Sequence, residues 1–114
     1  MEITLRRVYD DPVPGERRIL VERLWPRGLT KEKAAIDLWL KEVSPSQDLR
    51  RWFQHDPEKW IEFQERYRAE LDQNPEGIAR LREELAKGPV TFVYAASDPE
   101  RNSARLLREY LLQT

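Results

Sequence analysis

Ile19-Leu-Val-Glu-Arg-Leu-Trp-Pro-Arg-Gly28 is an apolar strand that runs straight into two arginines, a tryptophan and a Pro/Gly bend. Its near-continuous apolar centre, Ile19-Leu20-Val21, is the pattern of a strand covered on both faces, and it places a strand over Arg18 to Leu24. Buried strands usually end in small or polar turn residues. This one ends in Arg23, Trp25, Pro26, Arg27 and Gly28, with Thr30, Lys31 and Lys33 heading an amphipathic segment. A basic strand-to-helix elbow of this kind is where an α/β protein holds an anion.

Outward from that stretch, Ile3 to Val8 reads as a first strand and Val90-Thr-Phe-Val-Tyr-Ala95 as a third, the most β-prone segment of the chain. Between them, Ile36, Trp39, Leu40 and Val43 fall at helical spacing. Ser44-Pro45-Ser46-Gln47 then reads as a capping box with Ser44 as N-cap. Asp56-Pro57-Glu58 and Asn74-Pro75-Glu76 start two further helices, with Trp60, Phe63, Tyr67, Leu71 and then Ile78, Leu81, Leu85 turned inward. Ser97-Asp98-Pro99-Glu100 reads as the start of a last helix striped by Ala104, Leu107, Tyr110 and Leu111. Strands alternating with helices predict one α/β domain over residues 1–114: a small three-layer fold with a short, mostly parallel three-stranded sheet and about five helices. Nine residues separate the first two strands, fewer than a parallel crossover usually takes, so their relative direction stays open.

The formal net charge is −1, which gives no global field to draw in nucleic acid or an anionic membrane. The charge is uneven, however: the segment from Arg17 to Lys33 carries six basic and two acidic residues, so the remainder is acidic. With no cysteine, disulfides, thiolate catalysis and zinc–thiolate sites are excluded. The N-terminus lacks the apolar run of a signal peptide, and no stretch reaches the roughly 20 apolar residues of a membrane span. A cytoplasmic protein is expected.

Ligands of open parallel sheets bind beyond the strand carboxyl ends. Two such ends, Arg23 to Thr30 and Ala95 to Asn102, would bring Arg23, Trp25, Arg27 and Lys31 together with Ser97, Asp98, Arg101 and Asn102. Arginine grips phosphate or carboxylate bidentately. The plainer alternative makes Asp98 an N-cap and the arginines structural ion pairs. Trp25 either stacks on a ligand ring or lids the core. His55 is the lone histidine, a group able to titrate near neutrality beside Asp56. One histidine assembles no ordinary transition-metal site, and no cofactor or metal is implied. Neither a G-x-S-x-G elbow around Ser97 nor a glycine-rich phosphate loop is present.

Leu20-Val-Glu-Arg-Leu-Trp-Pro-Arg-Gly-Leu-Thr-Lys-Glu-Lys-Ala34, Trp39-Leu-Lys-Glu-Val-Ser-Pro-Ser46, Leu49-Arg-Arg-Trp-Phe-Gln-His-Asp-Pro57 and Val90-Thr-Phe-Val-Tyr-Ala-Ala-Ser-Asp98 with Asn102 closely resemble the YeaO-like branch of domain-of-unknown-function family 488. The resemblance covers nearly the whole chain and implies no settled biochemical role. It implies a compact α/β domain whose first two strands are joined by a helix, and so a parallel sheet. Broader members carry a cysteine where Tyr94 stands and a Cys-His-Arg run where this chain has Glu100-Arg101-Asn102. Within the branch, Glu22 replaces the usual aspartate and Arg101 the usual histidine. Thiol chemistry of the wider family has no counterpart here.

The expected function is binding of a small anionic, phosphate-bearing ligand at the rim of Arg23, Arg27, Lys31, Asp98 and Asn102. Were the protein an enzyme, the arginines would stabilise developing negative charge and Asp98 or His55 would move the proton. The competing classes are a nucleic-acid module, disfavoured by a sequence pI near 5.9, and a protein-interaction domain with no small ligand. The assembly state is not legible.

Overall fold

Four short strands pair in one sheet in the order β1-β4-β2-β3, every neighbouring pair parallel. The computed structural model describes residues 2–113. The strands are β1 (Ile3–Arg7), β2 (Arg18–Leu20), β3 (Leu38–Trp39) and β4 (Val90–Tyr94); the helices are α1 (Lys31–Ala34), α2 (Gln47–Phe53), α3 (Trp60–Asp72), α4 (Pro75–Leu85) and α5 (Ser103–Gln113). Single 3-10 turns cover Lys41–Val43 and Pro57–Lys59. Phe92 sits at the centre of the sheet, in register with Leu5 on one side and Ile19 on the other. One sheet face, through Ile19 and Phe92, meets the main core, built with Leu49 of α2, Phe63 and Tyr67 of α3, Leu81 of α4 and Leu107 of α5. The opposite face, through Leu20 and Val93, carries a thin second layer of Val8 and Ala34 closed by Trp25 and Trp39. Coverage on both faces accounts for the unbroken apolar centre of β2.

The α/β architecture is as the sequence predicts, with a fourth strand in place of part of a helix. Ile36 to Val43 is not helical: Leu38–Trp39 joins β2 as an edge strand, and the Leu40 N–H bonds the Leu20 carbonyl at 2.9 Å. The apolar residues of this segment serve two faces rather than one stripe. Ile36 and Trp39 pack into the thin layer, whereas Leu40 and Val43 enter the main core. Spacing over eight residues does not separate these arrangements. The second strand also stops earlier than predicted, at Leu20. Beyond it the Glu22 carboxylate takes the Ala95 N–H, at 2.8 Å.

Capping corrects two helix starts. Ser46 caps α2 by accepting from the Leu49 N–H, while the Ser44 hydroxyl donates to the Lys41 carbonyl. The final helix begins at Ser103, because Asp98 caps only a turn and Asn102 accepts from the Arg105 N–H. The starts at Asp56 and Asn74 stand, with Phe63, Tyr67, Leu71, Ile78, Leu81 and Leu85 buried. Trp39, Trp52, Trp60 and Tyr110 are only half-buried. Lys59 and Arg66 lie over the Trp52 ring, 5.2 and 4.4 Å from its centroid.

The first connection is parallel yet contains no helix. β1 and β2 flank β4, so residues 8–17 cross one strand as an irregular segment. A Pro14-Gly15 turn, closed by the Glu16 N–H on the Val13 carbonyl at 3.0 Å, needs the positive φ of +80° at Gly15. It delivers Glu16 to Arg6 Nε at 2.8 Å, Thr91 Oγ1 at 3.1 Å and Arg18 Nη1 at 3.2 Å. Arg18, 1% exposed, donates onward to the carbonyls of Ala34 and Val8, each at 3.0 Å. Burial opposes ionisation of Glu16, but the hydrogen bonds from Arg6, Arg18 and Thr91 outweigh it and hold its carboxyl below the ordinary value of 4.5.

Glu16→Ala strands the buried Arg18 charge and is expected to cost about 3 kcal/mol in urea unfolding at pH 7. A depressed folded value stabilises above the unfolded value near 4.5 and is lost as pH falls through the folded one. The gap between the natural protein and the variant therefore narrows in acid. A gap that stays constant down to pH 3 would refute the assignment.

Candidate functional site

A cavity of about 520 Å³ opens at the carboxyl ends of β2 and β4. The segment leaving β2 contributes Glu22 to Arg27, the segment leaving β4 contributes Ala95 and Ala96, and the start of α5 contributes Arg101 to Ser103. Helix α2 and its exit turn add Arg50, Phe53 and His55. Local chemistry explains the bend after β2. Gly28 has φ of +81°, the position where a turn closed by the Leu29 N–H on the Pro26 carbonyl requires positive φ. Tyr9 ties this bend to the first connection, its hydroxyl donating to the Arg27 carbonyl at 3.0 Å.

Of the residues singled out in the sequence, Arg23, Trp25, Arg27, His55, Arg101 and Asn102 line this one cavity. Lys31, Ser97 and Asp98 do not. Lys31 is exposed on the four-residue α1, and Ser97 is exposed on the turn after β4. Asp98 accepts from the N–H groups of Glu100 and Arg101 and pairs with the Arg101 guanidinium at 3.1 Å. Those hydrogen bonds, the backbone one from Glu100 foremost, hold its carboxyl below the usual range. Its work is to shape the turn.

The remaining candidates differ in how free they are. Arg23 donates through Nε to the Pro45 carbonyl at 3.2 Å, which leaves its two terminal nitrogens without a partner among the described residues. The exposed Arg27 side chain has no hydrogen bond or ion pair among them. Trp25 is committed on one edge: Nε1 donates to the Leu29 carbonyl at 2.7 Å, and its ring stands edge-on to Trp39 with centroids 5.5 Å apart. It lids the thin core layer and presents its remaining surface to the cavity. Asn102 is saturated, donating to the carbonyls of Asp98 and Pro99 at 3.1 Å and accepting from the Arg105 N–H at 2.9 Å. His55 is exposed at φ +57°, directly after Gln54 at φ +48°. Asp56 does not orient the imidazole; its Oδ1 accepts from the Glu58 N–H.

Two residues of the cavity escape sequence reasoning. Arg50, beside the buried Leu49 on α2, has no sequence signal that sets it apart from Arg51, and the fold brings it to the cavity. Glu22 carries the other surprise. Burial pushes its carboxyl above the ordinary value of 4.5, against the opposing pull of the Ala95 N–H and the Arg50 charge. Among the described residues no cluster of His, Asp or Glu is placed to hold a metal ion, and no helix is long and apolar enough to cross a membrane.

Fold and cavity together define a small all-parallel α/β domain with an arginine-rich hollow at the sheet's carboxyl edge. The chain belongs to the DUF488 family: residues 2–114 match the model described as the inactive DUF488-N3 subclade. It is 41% identical to Uncharacterized protein YeaO of Escherichia coli (strain K12), with 97% of each chain covered. It is 37% identical to Uncharacterized protein Rv3073c of Mycobacterium tuberculosis (strain ATCC 25618 / H37Rv), covering 96% of this chain and 92% of that one. Uncharacterized protein Mb3100c of Mycobacterium bovis (strain ATCC BAA-935 / AF2122/97) matches to the same extent. No solved structure matches the chain.

Replacing Asn102 by Ala removes the cap of α5 and the donors that its amide gives to the carbonyls of Asp98 and Pro99. A loss of about 2 kcal/mol in unfolding free energy is expected. Asn102→Asp, which keeps the accepting oxygen, should recover part of it; equal losses in both variants would assign the cap elsewhere.

Proposed function

We propose that this protein binds a small anionic, phosphate-bearing ligand in the cavity at the carboxyl ends of β2 and β4, as a binding domain without turnover. One observation carries this reading. Arg23, Arg27 and Arg50 line a single hollow, and among the described residues none of them is in ion-pair contact with a carboxylate. Guanidinium groups without ion pairs around one hollow suit a group with several acceptor oxygens, which they bind by charge-assisted, often bidentate hydrogen bonds. Arg101 adds a fourth positive charge at the rim, half-offset by its pair with Asp98.

Absence of turnover is supported from two sides. The subclade's description calls it inactive. The two groups named for proton transfer also lack an arrangement for it: Asp98 stands outside the cavity with its oxygens committed, and His55 has no carboxylate partner among the described residues to set its tautomer. A concave hollow favours a small molecule over a nucleic acid, which calls for an extended basic stripe.

Thermal denaturation across a panel of phosphorylated metabolites is the deciding experiment, since a ligand bound only by the folded state raises Tm. A positive shift is expected. For the compound that gives it, Arg23→Ala or Arg50→Ala should weaken binding about tenfold or more. Arg27→Ala should weaken binding while changing stability by less than about 0.5 kcal/mol, because its side chain is exposed. A flat panel, combined with steeply salt-dependent oligonucleotide binding, would replace this reading with the nucleic-acid one.

A further inference from the structure

We infer that the ligand is a hydroxylated phosphate ester, of the polyol or sugar phosphate kind, and that Glu22 selects it by accepting a hydrogen bond from a hydroxyl beside the phosphate. This inference deepens the anion-site reading and rests on it. Oε1 of Glu22 is occupied by the Ala95 N–H at 2.8 Å, and Oε2 has no partner among the described residues. No buried side-chain nitrogen or oxygen among those residues lacks a partner. Oε2 is therefore open rather than sealed in the core, and Glu22 lines the cavity.

The hollow thus presents two chemistries side by side. Arg23 and Arg50 offer only donors, and Glu22 in its ionised form offers only acceptors. Arg50 acts on Glu22 through charge, yet no ion pair within 4.0 Å closes between them. A bare anion meets the arginines but is repelled by the carboxylate. A molecule with a donor next to its anion satisfies both. The volume of about 520 Å³ also exceeds what a lone phosphate fills and accommodates a small organic body. Phe53, Pro26 and Leu24 supply apolar wall for its carbon skeleton.

Glu22→Gln separates the two chemistries. The amide oxygen keeps the Ala95 N–H, and the amide nitrogen replaces the cavity-facing acceptor with a donor. The probes are glycerol 3-phosphate and propyl phosphate, which share the phosphate and chain length and differ in hydroxyls, titrated calorimetrically into the natural protein, Glu22→Gln and Arg50→Ala. The natural protein should bind glycerol 3-phosphate about tenfold tighter than propyl phosphate. In Glu22→Gln that preference should shrink, because a neutral amide replaces the charge-assisted acceptor, with propyl phosphate bound as well as before or better. Equal affinities in the natural protein, or a preference that survives Glu22→Gln undiminished, would overturn the role of Glu22. If the two probes bind equally and Arg50→Ala weakens both, this inference alone fails. If neither probe binds, the anion site fails and takes the inference with it.

Discussion

The buried pairing of Arg18 with Glu16 is the constraint on which the rest of the molecule depends. A guanidinium 1% exposed is sustained only when its donors are satisfied and its charge met. Here Glu16 meets the charge, the carbonyls of Val8 and Ala34 take two more donors, and Arg6 and Thr91 hold Glu16 in turn. The Arg18 N–H is itself bonded to Asp37 Oδ2 at 2.7 Å. A single residue thereby joins the end of β1, the first connection and the end of α1 through its side chain, and the approach to β3 through its backbone N–H. This network does the work that a crossover helix does in a larger parallel sheet. It allows ten irregular residues to carry the chain past the central strand.

Once that crossing is secured, β4 lies between β1 and β2, and the carboxyl ends of β2 and β4 become neighbours. The cavity follows from this adjacency. Glu22 then ends the β2–β4 ladder by giving its carboxylate to the Ala95 N–H. The chain after β2 is released to bend through Trp25 and Gly28, and the arginines on either side of the tryptophan turn to the hollow. The same carboxylate serves the proposed recognition of a ligand hydroxyl, so one residue closes the sheet and opens the site.

The charge imbalance seen in the sequence is distributed differently in space. Arg17 bonds the Glu84 carbonyl and pairs with the Glu84 carboxylate, and Arg18 is consumed in the core. Lys31 and Lys33 lie exposed on α1. Of the six basic residues in that segment, only Arg23 and Arg27 reach the cavity, and the positive charge there is completed by Arg50 and Arg101 from distant stretches. The basic character of the region was legible; its membership was not, because charge counts ignore which side chains the fold neutralises.

Local pattern alone determined that this is an α/β fold. Apolar runs covered on both faces, Pro-headed helix starts at Asp56 and Asn74, and inward stripes such as Phe63, Tyr67 and Leu71 are short-range properties, set by backbone geometry and burial within a few residues. Tertiary structure alone decided the rest. Leu38–Trp39 became a strand because the free edge of β2 was available to pair, and its two-faced burial looks the same as a helical spacing over so short a span. The course of the first connection rested on a buried ion pair whose partners, two residues apart in the chain, gain their strength only from acceptors contributed by other elements. Arg50 entered the cavity because Leu49 and Phe53 anchor α2 in the main core, and Glu22 because the β2–β4 pairing sets it against the Ala95 N–H, contacts between segments that no local spacing encodes.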